Sequence, residues 1–109
     1  MSALTIEQIR EAVLPIAQKY SLRAVFLFGS YARGTATADS DVDLLIDTAG
    51  TSIRSLLDLG AVLCELEDAL GKRVDLITAR SLEQPAMMPS DEAFRKSVRE
   101  ERVELYAVA

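Results

Sequence analysis

The sequence predicts a small α/β fold of the α+β kind, in which helices flank one short sheet. Three segments have the length and the apolar, β-branched content of buried strands, at residues 23–28, 42–46 and 73–78. Helical periodicity precedes the first strand, separates the second from the third, and follows the third. The predicted order is therefore α-β-α-β-α-β-α, and we expect residues 1–109 to form a single domain.

The first helix is predicted from residue 5 to residue 20. Thr5 and Gln8 have the spacing of a capping box, and apolar residues then recur at helical spacing. Pro15 removes one backbone N–H from the helix interior. We therefore expect a kink or a break near residues 12–14.

The second long helix is predicted between two loop signals. Thr51 or Ser52 is a suitable N-cap, Gly71 is a suitable C-terminal stop, and apolar residues are dense between them. Cys64 falls in this apolar run, and we expect it to be a small core residue. After an irregular or short helical connection at residues 79–89, a last helix is predicted from residue 90 to Tyr106.

The composition excludes several kinds of chemistry. The chain has no histidine, so a histidine base or a zinc–histidine site is impossible, and its one cysteine allows no internal disulfide. Acid–base and metal chemistry must come from carboxylates, which favour Mg²⁺ or Mn²⁺. A net charge of −5 argues against direct DNA binding by the whole surface, but not against binding a nucleotide. No signal peptide or membrane-spanning run is apparent, so we expect a cytoplasmic protein without a membrane partner.

Two short motifs stand at the ends of predicted strands. Gly29 and Ser30 follow the first strand, where glycine permits a sharp turn and serine is a good N-cap for a helix whose free N–H groups favour an anion. Asp41 and Asp43 open the second strand and, being two residues apart, leave it on the same face. Their mutual repulsion would be relieved by a divalent cation.

Gly29-Ser30, ten residues and then Asp41-Val42-Asp43 is a spacing that resembles the nucleotidyltransferase superfamily, which includes DNA polymerase beta. The segment from Gly29 to Gly34 is most similar to the minimal (MNT) members, which are paired with HEPN toxins in toxin–antitoxin modules. The resemblance extends over about residues 5–106.

This resemblance implies a site and a reaction. Asp41, Asp43 and Asp75 would bind Mg²⁺, as two ions, and would be the catalytic residues. Gly29 and Ser30 would hold the phosphates of ATP, AMP would pass to an acceptor hydroxyl with release of pyrophosphate, and Asp75 is the best candidate for a general base.

The strand directions can be predicted if Gly29-Ser30 and Asp41-Val42-Asp43 form one site. Ser30 lies beside Asp41 most easily when the first two strands are antiparallel, and the long helix between the second and third strands is a crossover that makes them parallel. We therefore predict a mixed sheet in the order 1-2-3.

The neighbouring residues allow alternatives. Arg33 would either bind phosphate or pair with Asp39 or Asp47 to brace the loop, and these two acids have no predicted metal role. Tyr31 would support the turn from a partly buried position rather than stack on the nucleotide.

Three functions are consistent with these residues. The first is an antitoxin that transfers AMP to a tyrosine of a HEPN-type partner and assembles with it into an oligomer. The second is a binding module that neutralises the partner by occlusion without catalysis. The third is adenylylation of a small molecule or RNA. An Asp43→Asn variant separates the first from the second.

Overall fold

The computed structural model describes residues 3–53, 55–79, 93, 96 and 100–108. Within these residues the helices and strands alternate as far as β3, and a fourth strand follows the helical residues Glu100 and Glu101. In order they are α1 (Ile6–Lys19), β1 (Ala24–Phe28), α2 (Gly29–Arg33), β2 (Val42–Asp47), α3 (Leu56–Leu70), β3 (Val74–Thr78) and β4 (Val103–Ala107).

The strands form one mixed sheet in the order β3-β2-β1-β4. The predicted relations are confirmed, because β1 pairs with β2 antiparallel and β2 pairs with β3 parallel. The fourth strand lies antiparallel on the outer edge of β1 and was not predicted. The predicted order 1-2-3 is therefore correct but incomplete by one strand.

The prediction that the last helix reaches Tyr106 is wrong. Glu100 and Glu101 are helical, but Val103–Ala107 is β4, with Glu104 exposed and Leu105 buried. The physical reason is the edge of β1, whose backbone N–H and C=O groups are satisfied by pairing with this segment. The predicted start of that helix at residue 90 lies outside the described residues, as does the connection that contains Met87 and Met88.

Helix α1 begins as predicted and runs through its proline. Thr5 and Gln8 form the capping box. The helix is continuous across Pro15, which excludes a break, while the kink stays a prediction. Pro15 and Glu11 are both exposed, so the missing hydrogen bond between residues 15 and 11 lies on the outer side of the helix.

Helix α3 begins later than predicted. Its N-cap is Ser55, which forms a capping box with Asp58, and not Thr51 or Ser52. The Thr51 hydroxyl is used in the preceding turn, where it donates to the Thr48 carbonyl at 2.6 Å. The predicted stop is confirmed, since Gly71 is left-handed at φ 66°.

The main core lies between one face of the sheet and the helices α1 and α3. Its members are apolar side chains at alternate strand positions and on the inner faces of the two helices, among them Ile9, Val13, Val25, Leu27, Leu44, Ile46, Val62 and Leu66. Cys64 is exposed, so its assignment to the core is wrong. The buried residues of α3 (Val62, Leu66 and Leu70) lie on the side of the helix opposite to it.

The opposite face of the sheet carries the polar residues of interest. Phe28 and Leu45 are buried on it, next to Phe26 and Ile77. Asp43 lies on the same side of β2 as Leu45, because side chains two residues apart share a face. None of the described helices is long and apolar enough to cross a membrane.

Candidate active site

Two carboxylates meet where β2 and β3 begin. The parallel register places Asp43 directly opposite Asp75, and the antiparallel register places it opposite Phe28, the last residue of β1. The site therefore lies at one end of the sheet, where β1 ends and the other two strands start. The predicted proximity of Asp75 to the Asp-x-Asp motif is confirmed, while its chemical role stays a prediction.

The environment of Asp43 disfavours a second negative charge. Partial burial, a hydrogen bond with the Asp75 carboxyl and the charges of Asp75 and Asp41 together raise the pKa of Asp43 to about 6, with Arg33 acting weakly in the opposite direction. The ionised form of Asp43 is therefore disfavoured in the absence of a cation. A divalent ion would relieve this repulsion, because hard carboxylate oxygens are the ligands that Mg²⁺ prefers.

Asp41 is exposed at the mouth of the site. It lies two residues before Asp43, just outside β2, and its charge contributes to the raised pKa of Asp43. Among the described residues, no three Asp, Glu, Cys or His side chains converge closely enough to hold a metal ion as they stand. The donor chemistry of the pair Asp43–Asp75 fits a divalent cation.

Glycine is the only residue type that fits at position 29, between β1 and the carboxylates. Its φ is +71°, and a Cβ atom built on it would lie 2.0 Å from Oδ2 of Asp43. That separation is far below any van der Waals contact, and the positive φ disfavours other residues independently. The backbone of Gly29 therefore lies directly against the Asp43 carboxylate, which brings the two halves of the motif together.

Helix α2 begins two residues earlier than predicted, so Ser30 lies inside it. The N-cap of α2 is Phe28, without a side-chain cap, so the assignment of Ser30 as N-cap is wrong. Its N–H belongs to the first turn, where helical N–H groups have no partner within the helix. No described residue makes a hydrogen bond to its hydroxyl. Both groups are therefore available to an anionic ligand at the edge of the carboxylate site.

Arg33 and Tyr31 support this turn in different ways. The Arg33 guanidinium pairs with Glu101 at 3.2 Å, and neither of the predicted partners is used. Asp47 instead lies 4.0 Å from Arg23. Tyr31 is 4% exposed and its hydroxyl accepts from the Leu4 N–H at 3.4 Å, which confirms it as a buried support. Glu101 was missed because nothing in the local sequence links it to Arg33.

A groove continues from Asp41 towards the start of β3. Its walls are residues 38–41 and 71–73, its volume is about 460 Å³, and Lys72 and Arg73 contribute two cations. The Lys72 ammonium donates to the Ala38 carbonyl and ties the two walls together. Sequence reasoning missed both cations, although their position just before the strand of Asp75 was a usable signal.

Comparison with known proteins assigns this arrangement to a family. A sequence model of the nucleotidyltransferase domain matches residues 6–105. The protein adenylyltransferase MntA of Thermococcus cleftensis is 41% identical over 87 residues, which are 75% of this chain and 85% of that protein.

Two solved structures are also similar. One, described as a candidate minimal nucleotidyltransferase, has 35% identity and a TM-score of 0.68, and the match covers 94% of this chain and 98% of the other. The second is a tri-AMPylated HEPN toxin of Shewanella oneidensis in complex with its MNT antitoxin. It has 19% identity and a TM-score of 0.66 over 95% of this chain and 74% of the other, and it shows likeness of fold alone.

Proposed function

Because the chain belongs to the nucleotidyltransferase domain family, we propose that it transfers AMP from ATP to a hydroxyl of a partner protein. The observation that carries the proposal is the Asp43–Asp75 pair directly against the backbone of Gly29. The relative from Thermococcus cleftensis, named as a protein adenylyltransferase, supports a protein as the acceptor. We propose that residues 1–109 act as one such domain in the cytoplasm, where ATP is present.

The carboxylates would hold the cation that this chemistry requires. Mg²⁺ bound by Asp43 and Asp75, with Asp41 turned towards it, would neutralise phosphate charge and lower the pKa of the acceptor hydroxyl. Asp43 is suited to this role because its neighbours already disfavour its ionised form without a cation. A metal-free protein would then bind ATP weakly, since three carboxylates repel the triphosphate.

The direction of attack follows from the order of the strands. Gly29 and Ser30 lie on the β1 side of Asp43, and Asp75 lies on its β3 side. The N–H groups of Gly29 and Ser30, with the Ser30 hydroxyl, would bind the β- and γ-phosphates. An in-line displacement then requires the acceptor to approach from the side of Asp75.

The reaction balances with the residues at hand. A bond forms between the acceptor oxygen and the α-phosphorus, and the bond from that phosphorus to the bridging oxygen of pyrophosphate breaks. The hydroxyl proton would pass to the carboxylate of Asp75, which lies on the approach side. Arg33 is paired with Glu101 at 3.2 Å, so its proposed contact with phosphate would require that ion pair to open.

The proposed partner is a HEPN-type toxin, neutralised by AMP on a tyrosine and held in a hetero-oligomer. The complex of a tri-AMPylated HEPN toxin with an MNT antitoxin supports this choice, as a property of those two proteins. The competing function is neutralisation by occlusion alone. Occlusion also requires a complex with the partner, but it gives the Asp43–Asp75 pair no role.

The two functions predict opposite results for one variant. We expect the wild-type chain, with ATP and Mg²⁺, to abolish the activity of its cognate HEPN-type protein, and Asp43→Asn to bind that protein without neutralising it. Asp47→Asn is the matched control, because Asp47 lies on the same face of the same strand at its far end. Full neutralisation by Asp43→Asn would favour occlusion and contradict a catalytic role.

A further inference from the structure

The start of α3 exposes two adjacent leucines. Leu56 is 86% exposed and Leu57 is 88% exposed, against 40% for Leu14 on α1. Single apolar residues on a surface are ordinary, but two neighbouring leucines almost completely in water leave their burial energy unused, which is typical of an interaction site. Since the capping box of Ser55 and Asp58 fixes the first turn of the helix, these side chains are held outside the core.

The apolar surface continues along the outside of α3. The buried residues Val62 and Leu66 define the inner side of the helix, and Leu57, Ala61 and Cys64 point away from it and are exposed. Leu57, Ala61 and Cys64 follow the i, i+4, i+7 spacing of a single helical face. We call this surface, with Leu56 at its edge, the outer face of α3. The small side chains beyond Leu57 let the backbone of another element approach closely.

The charged side chains of α3 itself have one sign. Helix α3 contains four acidic residues, namely Asp58, Glu65, Glu67 and Asp68, and no lysine or arginine. Glu65 already pairs with Lys19, and Glu67 accepts the Val74 N–H. A second copy of this chain would bring the same acids against them, which is unfavourable, whereas a basic partner would complement them.

The outer face lies away from the carboxylate site. Helix α3 starts after the Asp47 end of β2 and ends at Leu70, just before the strand of Asp75. The leucines are therefore at the end of the sheet opposite to Asp43. A protein bound along α3 from Leu57 towards Leu70 would reach the groove of Lys72 and Arg73 beside Asp41.

We propose that the outer face of α3 is the docking surface for the acceptor protein, which binds it through an apolar helix flanked by lysine or arginine. The identification of this occupant as the acceptor rests on the proposed function. Docking on α3 and transfer at Asp43 are separate events, so the two should respond separately to substitution.

The test compares three variants by the dissociation constant of the complex with the cognate HEPN-type protein, measured without ATP. Leu57→Lys removes the apolar contact and adds a charge that a basic partner repels, so we expect binding at least tenfold weaker. Leu57→Glu should weaken binding less, because the new negative charge attracts a basic partner. Leu14→Lys, an equivalent change on α1, should bind as wild type does. Circular dichroism checks that each variant is folded.

With ATP and Mg²⁺ added, Leu57→Lys should raise the KM for the acceptor and leave kcat unchanged. The proposal is overturned if Leu57→Lys binds like Leu14→Lys, or if Leu57→Glu binds more weakly than Leu57→Lys. It is also overturned if sedimentation of the chain alone shows a dimer that Leu57→Lys dissociates, since the face then belongs to a second copy. A wild-type chain that binds through Leu57 but transfers no AMP contradicts the proposed function and not the docking surface.

Discussion

At the scale of single residues, the site depends on the contact between Gly29 and Asp43. The glycine backbone occupies the position against the carboxylate that any side chain would fill. Asp43 is held next to Asp75 by the sheet register, at an electrostatic cost to the metal-free protein. Stability and function therefore oppose each other at this point, as at many active sites.

Asp43→Asn should stabilise the metal-free protein at neutral pH. The folded state raises the pKa of Asp43 from 3.8 to about 6, so ionisation is easier in the unfolded chain and the wild type loses stability as the pH rises through that interval. The asparagine does not ionise and is still able to donate to Asp75. After allowance for solvent screening, we expect the free energy of unfolding of Asp43→Asn to exceed that of the wild type by about 1 kcal/mol above pH 6. Below pH 4 we expect no difference.

Urea denaturation of both proteins from pH 3 to pH 8, with a chelator present, measures this difference. Adding Mg²⁺ should stabilise the wild type and not the variant, because only the wild type binds the ion through Asp43. If the difference in unfolding free energy between the wild type and Asp43→Asn does not change with pH, repulsion at Asp43 is absent.

Gly29→Ala should destabilise the fold and disrupt the site together. The positive φ of 71° costs an alanine about 1–2 kcal/mol, and displacement of the Asp43 carboxylate adds to this. Gly50→Ala is a matched control, since Gly50 also has a positive φ but has no atom within 4 Å of the added Cβ. Thermal unfolding should place Gly29→Ala below Gly50→Ala, and equal melting temperatures would contradict the close contact.

At the scale of elements, the fold was predictable wherever a local signal had a single interpretation. Thr5 and Gln8 gave the start of α1, and Gly71 gave the end of α3. The prediction failed at β4, where a segment with charged residues at helical spacing is followed directly by a strand. Whether residues 103–107 form helix or strand depends on pairing with the edge of β1, which is distant in the sequence. The assignment of Cys64 to the core was wrong for a related reason. So many residues of α3 are apolar that the sequence does not identify the inner side of the helix.

Strand β4 should contribute to stability mainly through Leu105. This side chain is 6% exposed and belongs to the main core, whereas its neighbour Glu104 is exposed. Leu105→Ala should therefore cost about 2–4 kcal/mol of unfolding free energy, and Glu104→Ala less than about 0.5 kcal/mol. Denaturant unfolding gives both values, and a loss below about 1 kcal/mol for Leu105→Ala would argue against the strand.

At the scale of the whole molecule, α1 and α3 are joined outside the core by polar contacts. Lys19 lies 2.7 Å from Glu65, and the Tyr20 hydroxyl donates to the same carboxylate. Both contacts lower the pKa of Glu65. Neither was predictable, because the residues are 45 and 46 positions apart in the sequence.

Glu65→Gln should lower stability at neutral pH but not at low pH. A carboxyl whose pKa is depressed by folding stabilises the protein above its unfolded pKa, and that contribution is lost as the pH falls through the folded value. The melting temperatures of wild type and variant should therefore differ at pH 7 and converge towards pH 3. Glu11→Gln, an exposed change on α1, should follow the wild type throughout.

Much of the site was accessible from the sequence, because its spacing reflects local geometry. Gly29-Ser30 and Asp41-Val42-Asp43 are joined by a short antiparallel connection, so their proximity follows from residues close in the chain. Asp75 required the crossover argument. The pairing of Arg33 with Glu101 depends on a contact between distant segments, which no pattern in this sequence encodes. The groove has its second wall at residues 38–41, although the position of Lys72 before the strand of Asp75 was a usable signal.

The most direct test of the account follows label from α-³²P-ATP in the presence of Mg²⁺ and the cognate HEPN-type protein. We predict label on that protein with the wild type and with Asp47→Asn, and a loss on the order of 100-fold or more with Asp43→Asn. Label from γ-³²P-ATP should not be transferred, because pyrophosphate is the leaving group. Equal labelling by the wild type and Asp43→Asn, or none by the wild type despite a stable complex, would contradict an adenylyltransferase site at the Asp43–Asp75 pair.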